Sequence, residues 1–587
     1  MFLQRLIEYA ERLQVPPTLY AEAPVRYIIA LDRAGGLVSP EPIDTADPSS
    51  PRTRRGQPRL VPRVQRAVKI RPLLLADNAE YTLGLAREGS RPERVEECHR
   101  AYLAQLERCA AASQDPAVEA VRRFLTGDPL AHLRVPPDLD RTESITFQVD
   151  GRFVVDLPAV QAFWAAENEP GADPERPAPV MQCIICGERR PVLRRLQAKI
   201  KGIPGGQTAG TAMISANAEA FESYGLGESL IAPTCARCGE RFTQGVNDLL
   251  RDRARHLVLG GAALIFWTRE ENPFSLREFL DDPQPEQVAA LLEAVRVGRE
   301  VPTVDDTAFY AATLSTSGGR AVVRDWIDTT VAEVKRHLAA WFAWQRMVGA
   351  WGDVARPLGI YALAVATVRD PQKELAPPTA RWLWRAALTG TPLPGSLLYQ
   401  AVRRNRAAQG VTFPRAALIK LILLSWRPAG GPGADGREDD MVQLDPQNTN
   451  PAYLCGRLLA VIEEAQRLAI PGIKATVVDR FFGTASSAPA SVFGRLVRGA
   501  QPHLAKLKRD RPGAYYALET RLEEIQAGLR GYPRILSLEE QGLFALGYYH
   551  QRAFDRAQAR EAAARRKAGA ADEALAALAE EEAKEEI

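Results

Sequence analysis

The sequence contains few of the residues and segments on which enzymes and membrane proteins depend. Only six of its 587 residues are histidine, and none lies at a spacing typical of a zinc hydrolase or a paired metal site. The Gly-Gly-Gln at 205–207 lacks the Gly-Lys-Ser/Thr ending of a nucleotide-binding phosphate loop. No apolar run approaches the roughly 20 residues that span a bilayer, and the N-terminus is typical of an amphipathic helix, not a signal peptide. We therefore expect a cytoplasmic binding protein with no membrane partner, and not an enzyme.

Cysteine is also sparse, and the net charge is close to balanced. Three of the seven cysteines, Cys98, Cys109 and Cys455, are scattered singly, which fits a reducing compartment better than a disulfide framework. A formal net charge of +3 is too small to indicate a nucleic-acid-binding protein by itself. The length exceeds what one hydrophobic core usually organises, so roughly two to four domains are expected.

The other four cysteines form two Cys-x-x-Cys pairs, Cys183 with Cys186 and Cys235 with Cys238. Each pair can place two thiolates on one ion, and four thiolates complete a closed zinc (Zn2+) site of the structural type. The pairs are unusually far apart, so we predict a zinc-ribbon-like segment at 182–240 that closes the base of an extended loop. The glycine after each second cysteine favours metal, since it relieves crowding at the turn. Reduced cysteines packed as small apolar residues, or a redox pair, are the alternatives.

Positive charge is concentrated in two segments that contain no acidic residue. The segment 52–71 is interrupted by Pro58 and Pro62, which excludes a regular helix and predicts a basic loop. The segment 189–201 leads directly into a Gly-rich loop at 200–207. Such clusters can neutralise phosphates with release of counterions, although a solvated surface is the alternative. The basic residues are Arg52, Arg54, Arg55, Arg59, Arg63, Arg66, Lys69 and Arg71 in the first segment and Arg189, Arg190, Arg194, Arg195, Lys199 and Lys201 in the second.

Periodicity predicts an α+β fold, with a mixed N-terminal region that contains the zinc-ribbon-like segment and a C-terminal helical bundle. We predict a strand, a turn and a second strand within 25–38, and a hairpin at 145–157 that turns at Asp150-Gly151. Further strands are expected at 262–267 and 320–323.

Turn-forming residues at 427–440 predict a linker between the body and the bundle. Asn450 before Pro451, and a capping box formed by Ser537 and Glu540, predict the starts of two helices in the bundle. Beyond about Ala557 the composition is reduced to Ala, Glu, Arg and Lys, which predicts a frayed helix or a disordered tail. The predicted domains are a body at 1–440, a bundle at 441–556 and a charged tail at 557–587.

Six segments carry a family resemblance through their order and spacing. They are Leu-Ala-Asp-Asn-Ala-Glu-Tyr-Thr-Leu-Gly at 75–84, Cys-Ile-Ile-Cys-Gly at 183–187, Ile-Lys-Gly at 200–202 with Gly-Gly-Gln at 205–207, Ile-Ser-Ala-Asn at 214–217, Ala-Phe-Glu-Ser-Tyr-Gly at 220–225 and Gly-Tyr-Tyr-His-Gln-Arg at 547–552. In this order they resemble the large subunit of type I-C CRISPR surveillance complexes, from the N-terminus to about residue 555. Cys235 and Cys238 depart from the family pattern, in which these positions are often not cysteine, so the zinc prediction rests on this chain alone.

The resemblance implies a non-catalytic subunit of an RNA-guided antiviral complex. The large subunit of this family sits at the 5′ end of the guide RNA, beside the backbone subunits, and reads a short protospacer-adjacent motif in duplex DNA. It then opens the adjacent base pairs, which promotes R-loop formation, and helps to recruit the helicase-nuclease. Reading a short motif needs a few amide or ammonium donors on a loop that enters a groove, while the guide reads most of the target.

The resemblance places the motif-reading site on the Gly-rich loop and its surroundings. We predict that Gln207 contacts a base or wedges between the strands, because its side-chain amide both donates and accepts. For Ser215 and Asn217 the alternative is a cap on a helix that begins near Ala218. The predicted DNA-binding residues are Lys199, Lys201, Gly205, Gly206, Gln207, Ser215 and Asn217, with Asn78 as a weaker candidate, and Arg52, Arg54, Arg55, Arg59, Arg63 and Arg66 on the DNA backbone.

The C-terminal bundle resembles the small subunit of such complexes, which in this family is also translated separately from an internal start. Met441, just after the predicted linker, is well placed as that start. A basic cluster is predicted to guide the displaced single strand by attraction to its backbone, with a solvated helix face as the alternative. Its residues are Arg495, Arg498, Lys506, Lys508, Arg509 and Arg511.

Two other classes of function remain open from the residues. One is a zinc-ribbon nuclease or nucleic-acid-modifying enzyme whose carboxylates converge only after folding, although the acidic pairs at 281–282, 305–306 and 439–440 lie in turn-rich segments. The other is a zinc-ribbon transcription regulator that binds duplex DNA without guide RNA.

Overall fold

The computed structural model describes residues 2–13, 17, 19–47, 49, 53, 55–64, 70–168, 178–196, 198–216, 218–297, 307–427 and 441–585, with the backbone alone at 295–297 and 566–585. The chain groups into two compact units. The first comprises Met1–Ile200 and Ala209–Asn247, and the second comprises Lys201–Thr208 and Asp248–Ile587. The short segment Lys201–Thr208 thus belongs to the second unit, although the chain on both sides of it belongs to the first.

The first unit combines short strands with helices. Its strands are β1 (Tyr20–Val25), β2 (Tyr27–Leu31), β3 (Ile43–Asp44), β4 (Gln57–Pro62), β5 (Ala76–Asp77), β6 (Ile145–Val149), β7 (Arg152–Phe153), β8 (Val180–Gln182) and β9 (Arg189–Pro191). Its helices are α1 (Phe2–Glu11), α2 (Ala79–Thr82), α3 (Pro92–Ser113), α4 (Pro116–Thr126), α5 (Pro129–His132), α6 (Pro158–Glu167) and α7 (Ala236–Arg251), the last of which continues into the second unit.

The main sheet of the first unit has the order β3-β2-β6-β5, with β7 paired to β6. β2 and β6 are parallel, and the other pairs are antiparallel. The predicted hairpin turn at Asp150-Gly151 is confirmed, since both residues have positive φ, as a tight hairpin turn requires. Its second strand is shorter than predicted, because a helical turn follows at Val154–Asp156.

The prediction for 25–38 is correct for the first strand and the turn, and wrong for the second strand. β2 ends at Leu31, and the Asp32 amide donates to the Gly36 carbonyl at 2.9 Å to close the turn. Between the turn and Val38 an isolated pair between Leu31 and Leu37 is the only β-bridge among the described residues, and the returning chain next pairs with β2 at β3. The returning chain carries Pro40 and Pro42, which lack the amide that a strand ladder needs.

The basic segment 52–71 is not the loop that was predicted, because Gln57–Pro62 forms β4. This strand pairs with β1 along its full length, in a register that sets Pro58 opposite Pro24. The two strands form a separate two-stranded ribbon. A two-stranded ribbon consists of edges only, and edge strands tolerate proline. The prolines therefore excluded a helix but did not exclude a strand.

Within the described residues, the second unit contains one sheet and most of the helices. Its strands are β10 (His256–Leu259), β11 (Ala262–Thr268), β12 (Ala308–Ser317) and β13 (Arg320–Thr330). Its helices are α8 (Leu276–Leu280), α9 (Pro285–Val297), α10 (Val331–Gln345), α11 (Ile360–Val365), α12 (Pro371–Glu374), α13 (Pro377–Thr389), α14 (Gly395–Ala408), α15 (Phe413–Ser425), α16 (Pro451–Ala469), α17 (Val477–Ala485), α18 (Phe493–Asp510), α19 (Pro512–Ala527) and α20 (Leu538–Glu585).

The strands β10 to β13 form an antiparallel meander in chain order. This confirms the strand predicted at 262–267 and extends the one predicted at 320–323 to Thr330. Apolar side chains of the meander pack with those of α10, α13 and α15 in one core. α15 is buried from Arg415 to Ser425, as expected for a central helix.

The predicted helix starts in the bundle are confirmed. The Asn450 side chain accepts hydrogen bonds from the amides of Ala452 and Tyr453 at the start of α16. Ser537 and Glu540 form the reciprocal pair of a capping box, at 2.7 and 3.2 Å, at the start of α20. Residues 428–440 of the predicted linker lie outside the described residues, and the predicted boundaries at 440/441 and 556/557 stay predictions.

α20 contributes side chains to two cores of the second unit. Phe544 and Tyr548 belong to the bundle core, together with buried residues of α16, α17, α18 and α19. Leu546, Tyr549 and Ala553 belong to the core that contains α14 and α15. Two faces of α20 therefore pack in different cores.

Two glycines allow α16 and α20 to approach closely. A Cβ added at Gly456 of α16 would lie 2.0 Å from the Phe544 carbonyl oxygen of α20. A Cβ added at Gly547 of α20 would lie 2.1 Å from the Tyr453 carbonyl oxygen of α16. Each helix therefore presents a glycine to the backbone of the other.

The predicted α+β class, with a helical C-terminal region, is confirmed. Among the described residues, no helix has the length and apolar content needed to cross a bilayer.

Candidate metal centre and nucleic-acid interface

The first cysteine pair lies at the turn between β8 and β9. Cys183 donates its amide to the Glu188 carbonyl, and Gly187 donates to the Cys183 carbonyl, both at 2.9 Å. Gly187 has a φ of +75°, and a Cβ there would meet nothing within 4 Å. Glycine is therefore needed at this position for its backbone conformation, and not for the relief of crowding that was predicted.

The second cysteine pair lies at the start of α7. Cys235 immediately precedes the helix and forms an antiparallel bridge with Val192, one residue after β9. Gly239 is helical, and a Cβ there would approach Leu196 Cδ2 to 2.6 Å. This second glycine therefore serves close packing, whereas crowding at the turn was the predicted reason.

The four cysteines form one cluster, with their sulfur atoms all within 4.8 Å of one another. Three are buried and Cys186 is half-buried. The Cys235 amide donates to Cys183 Sγ at 3.5 Å. A hydrogen bond from the Cys238 thiol lowers the pKa of Cys235 to about 5, and the same interaction raises the pKa of Cys238.

This cluster fits a tetrahedral metal ion. Zinc–sulfur bonds of roughly 2.3 Å in a tetrahedron place the sulfurs a little under 4 Å apart, so the observed cluster needs only a small contraction. A donor set of four thiols, with no open position, is typical of a structural zinc site. Cys183, Cys186, Cys235 and Cys238 are the residues that would hold the ion, and they would join the β8–β9 turn to the start of α7.

A polar groove of about 500 Å³ lies in the same unit as the cysteine cluster. Arg195, Lys199 and Ser215 line it, together with Glu222 and Glu228. Arg195 forms an ion pair with Glu228 at 2.6 Å, although the arginine side chain is 85% exposed. Such an exposed ion pair contributes little stability, so Arg195 can exchange Glu228 for another anion at small cost.

The Gly-rich loop begins and ends at a fixed base. Ile200 and Thr211 exchange two backbone hydrogen bonds, at 2.9 and 2.8 Å. Within the loop, the Gly206 amide donates to the Ile203 carbonyl at 3.0 Å. Gly205 has a φ of +72°, which matches the second central residue of a type II turn that follows a proline.

The β12–β13 hairpin supports this turn within the second unit. The Thr316 hydroxyl donates to the Pro204 carbonyl at 3.1 Å. Gln207 Nε2 lies 3.1 Å from the position that a Cβ would take on Gly319. Gly205, Gly206 and Gln207 are exposed, and so is Lys201. The turn is therefore exposed and held by the β12–β13 hairpin, and the side-chain amide of Gln207 lies next to it.

The structure assigns the predicted motif-reading residues to different units. Lys199 and Ser215 belong to the first unit, while Lys201 and the residues at 205–207 belong to the second. Asn217 lies outside the described residues, and a short helical turn follows it at Glu219–Phe221. That turn begins without a side-chain cap from Ala218.

Two of the predicted backbone-binding arginines have partners within the first unit. Arg55 forms an ion pair with Glu143 at 2.8 Å. Arg59 lies over the Phe153 ring, 3.2 Å from its centroid, and forms an ion pair with Asp156 at 2.9 Å. Arg59 therefore joins β4 to β7, and Arg55 joins the turn before β4 to the segment before β6, roles that the sequence did not indicate. The Arg63 side chain is exposed, and Arg52, Arg54 and Arg66 lie outside the described residues.

Asn78 has a structural role. Its side-chain oxygen accepts hydrogen bonds from the amides of Glu80 and Tyr81, and thereby caps the short helix α2. This accounts for an asparagine at this position without any ligand.

The segment 547–552, which contributed to the family resemblance, is also structural. The Tyr548 hydroxyl donates to Glu463 at 2.6 Å, and the Tyr549 hydroxyl donates to the Val348 carbonyl at 2.9 Å. Gln551 accepts a hydrogen bond from Arg457 at 3.0 Å. The segment therefore holds α20 in the second unit.

His550 belongs to the same structural segment. Its ring lies 3.0 Å from the Tyr453 hydroxyl, and burial lowers its pKa to about 3. The imidazole is therefore neutral at physiological pH.

Sequence reasoning missed an exposed aromatic tip in the first unit. Tyr224 is fully exposed at the tip of a tight turn, two residues after Glu222, which lines the groove. The Tyr-Gly dipeptide at 224–225 ends the segment 220–225 that carries the family resemblance, which by itself assigns the tyrosine no role. A turn signal from glycine alone could have identified the position, but not its exposure.

Comparison with protein families matches residues 6–554 to the CRISPR-associated protein family Cas_Csd1. A search of curated proteins finds no match. Because the family match covers nearly the whole chain, the protein belongs to the Cas_Csd1 family of CRISPR-associated proteins.

Proposed function

We propose that this chain is the non-catalytic large subunit of a type I-C CRISPR surveillance complex. In this role it binds beside the guide RNA and the backbone subunits, reads the protospacer-adjacent motif in duplex DNA and promotes R-loop formation. It also provides a surface for the helicase-nuclease. Membership of the Cas_Csd1 family supports a role in a CRISPR complex. The exposed turn of the Gly-rich loop supports the reading of the motif.

The observation that carries the proposal is the supported turn at 203–206. Its backbone is restrained by the type II geometry and by Thr316, so little conformational entropy is lost when it enters a groove. Small residues at its tip let the backbone approach base edges closely. Gln207 supplies an amide that can donate and accept at a base pair, and Lys201 supplies a charge for a phosphate.

The groove of the first unit supplies further contacts to the DNA backbone. Arg195 and Lys199 provide positive charge, and Ser215 provides a hydroxyl group. Contacts of this kind set the register of the protein on the duplex without reading sequence. Arg63 and the arginines at 52, 54 and 66 are proposed to extend the backbone contacts.

The test is a binding titration on duplex targets with an intact or a scrambled adjacent motif. The chain is measured alone and after assembly on guide RNA with the backbone subunits. We expect motif-dependent binding only after assembly. Equal motif-dependent binding by the lone chain would instead support a transcription regulator, and magnesium-dependent cutting by the lone chain would support an enzyme.

Two substitutions sharpen this titration. Gln207→Ala is expected to reduce the preference for the intact motif by about 5- to 100-fold, the usual effect of losing a good base contact. Lys201→Ala should weaken both targets similarly and lower the slope of log K against log salt by about 1. Gln372→Ala and Lys373→Ala on α12 are matched controls and should leave both quantities unchanged. If both test variants behave like these controls, the loop does not read the motif.

The bundle is proposed to act like a small subunit and to guide the displaced strand, with Met441 as a candidate internal start. All six residues of the basic cluster at 495–511 are exposed on or next to α18. Arg498→Glu combined with Lys506→Glu should make the displaced strand more accessible to a single-strand nuclease, because the altered face repels its phosphates. Arg530→Glu combined with Arg534→Glu changes the charge equally elsewhere on the bundle and should have no such effect. Equal accessibility in the two double variants would assign the cluster to a solvated surface.

A further inference from the structure

A tight turn with an aromatic residue at its tip lies in the sequence between Glu222 and Glu228, which both line the groove. Ser223 and Leu226 form an antiparallel pair, with amide-to-carbonyl distances of 3.4 and 2.9 Å. The two residues between them both have positive φ, +54° for Tyr224 and +70° for Gly225. This is the geometry of a two-residue hairpin turn of type I′.

Tyrosine is an unfavourable residue for the first central position of such a turn. A left-handed backbone suits glycine, asparagine and aspartate, while a bulky side chain is strained there. Tyr224 is also 100% exposed, so burial of its ring within the chain offers no compensation. Residues that are unfavourable for both the backbone and the surface are concentrated at functional sites.

The groove next to this tip contains two cations that can hold a phosphate, together with the carboxylates of Glu222 and Glu228. Glu222, two residues before Tyr224, lines the groove that also contains Arg195 and Lys199. The Arg195–Glu228 ion pair is exposed and can open to accept an external anion. One short segment therefore places an exposed aromatic ring close in sequence to a groove that carries two cations.

We propose that Tyr224 is a base-stacking residue, whose ring packs on a nucleobase while the neighbouring groove holds a phosphate of the same strand. This inference rests on the proposed function and adds a residue class that the Gly-rich loop lacks. Stacking on an aromatic ring tolerates any base, because every base has a π-face. The residue is therefore expected to hold an unpaired or terminal base, and the motif itself is read elsewhere.

The experiment uses the assembled complex and DNA targets that carry 2-aminopurine at successive positions next to the motif. Tyr224→Ala is expected to weaken target binding by about 5- to 100-fold, the range for loss of one stacked base. It should also abolish the fluorescence quenching of 2-aminopurine at one position. Tyr224→Phe should keep both properties, because stacking needs the ring and not the hydroxyl group.

Two further variants separate the stacking role from an effect on folding. Tyr224→Asn removes the ring but suits the left-handed backbone, so the turn should form at least as well while binding falls as in Tyr224→Ala. Tyr516→Ala removes an exposed tyrosine, 63% accessible, from α19 and should change neither affinity nor fluorescence.

Several outcomes would overturn the inference. If Tyr224→Ala and Tyr224→Asn bind and quench like the wild type, while the wild type still requires the motif, Tyr224 does not stack and the proposed function stands. If Tyr224→Ala keeps DNA binding but loses a protein subunit of the complex, the tip is a protein contact. If the wild-type complex itself shows no motif-dependent binding, the proposed function fails and this inference fails with it.

Discussion

Gly456→Ala and Gly547→Ala are each expected to destabilise the second unit by about 3 kcal/mol or more. The added methyl group would lie 2.0 Å from the Phe544 carbonyl oxygen in one case and 2.1 Å from the Tyr453 carbonyl oxygen in the other. Both oxygens are backbone atoms of long helices, so the clash cannot be relieved by a rotamer change. α16 and α20 must separate, which opens a closely packed interface and exceeds the usual cost of overpacking.

The sign of this effect distinguishes packing from helix propensity. Alanine is the better helix former by roughly 1 kcal/mol, so Gly→Ala in a helix with open space is stabilising. Gly499→Ala on α18 is the matched control, since a Cβ there meets nothing within 4 Å. Urea denaturation of the full chain measures the change in stability of each variant. Hydrogen exchange of the α16 and α20 amides shows whether these two helices open. If Gly456→Ala is as stable as Gly499→Ala, the close helix crossing is not present in solution.

Freshly purified protein is expected to contain about one zinc ion per chain. The four cysteine sulfurs already lie within 4.8 Å of one another, and no other donor type is needed to complete the site. The ion would join the β8–β9 turn to the start of α7, in addition to the Val192–Cys235 bridge and the hydrogen bond from the Cys235 amide to Cys183 Sγ. At a free zinc concentration about 1,000 times the dissociation constant, binding contributes about 4 kcal/mol to stability. Chelation should therefore lower the thermal midpoint and increase hydrogen exchange at both cysteine pairs.

Cysteine variants make the zinc result specific. Cys235→Ser and Cys238→Ser should each lose the metal, as measured by elemental analysis of the purified protein. Cys98→Ser changes a buried cysteine outside the cluster and should keep it. A zinc content well below one equivalent in the wild type, or equal content in all variants, would show that the cluster is a set of packed thiols.

Local signals predicted individual helix starts and turns. Asn450 and the Ser537–Glu540 pair cap their helices as expected, because a cap depends on residues only two or three positions apart. The turn at Asp150-Gly151 is local in the same sense. The cysteine cluster was also predictable, since the chemistry of a shared ion imposes proximity on pairs far apart in sequence.

Features that depend on distant partners were not predictable in this way. β4 forms in a proline-containing basic segment because β1 is available to pair with it. Arg59 appeared to be a free cation, yet Phe153 and Asp156 engage it. Gly456 and Gly547 carry no local turn signal, because their role lies in the approach of another helix. For Tyr224, exposure depends on what the rest of the fold leaves uncovered.

α20 contributes side chains to two cores, so the stabilities of these cores are coupled. Leu546 and Tyr549 are buried with α14 and α15, while Phe544 and Tyr548 are buried in the bundle. Neither core can lose α20 without the other losing it too, so the two should unfold cooperatively. A shorter product starting at Met441 would retain only one of these cores. It would expose the apolar face of α20 that contains Leu546 and Tyr549. Its solubility would therefore depend on a partner that covers this face.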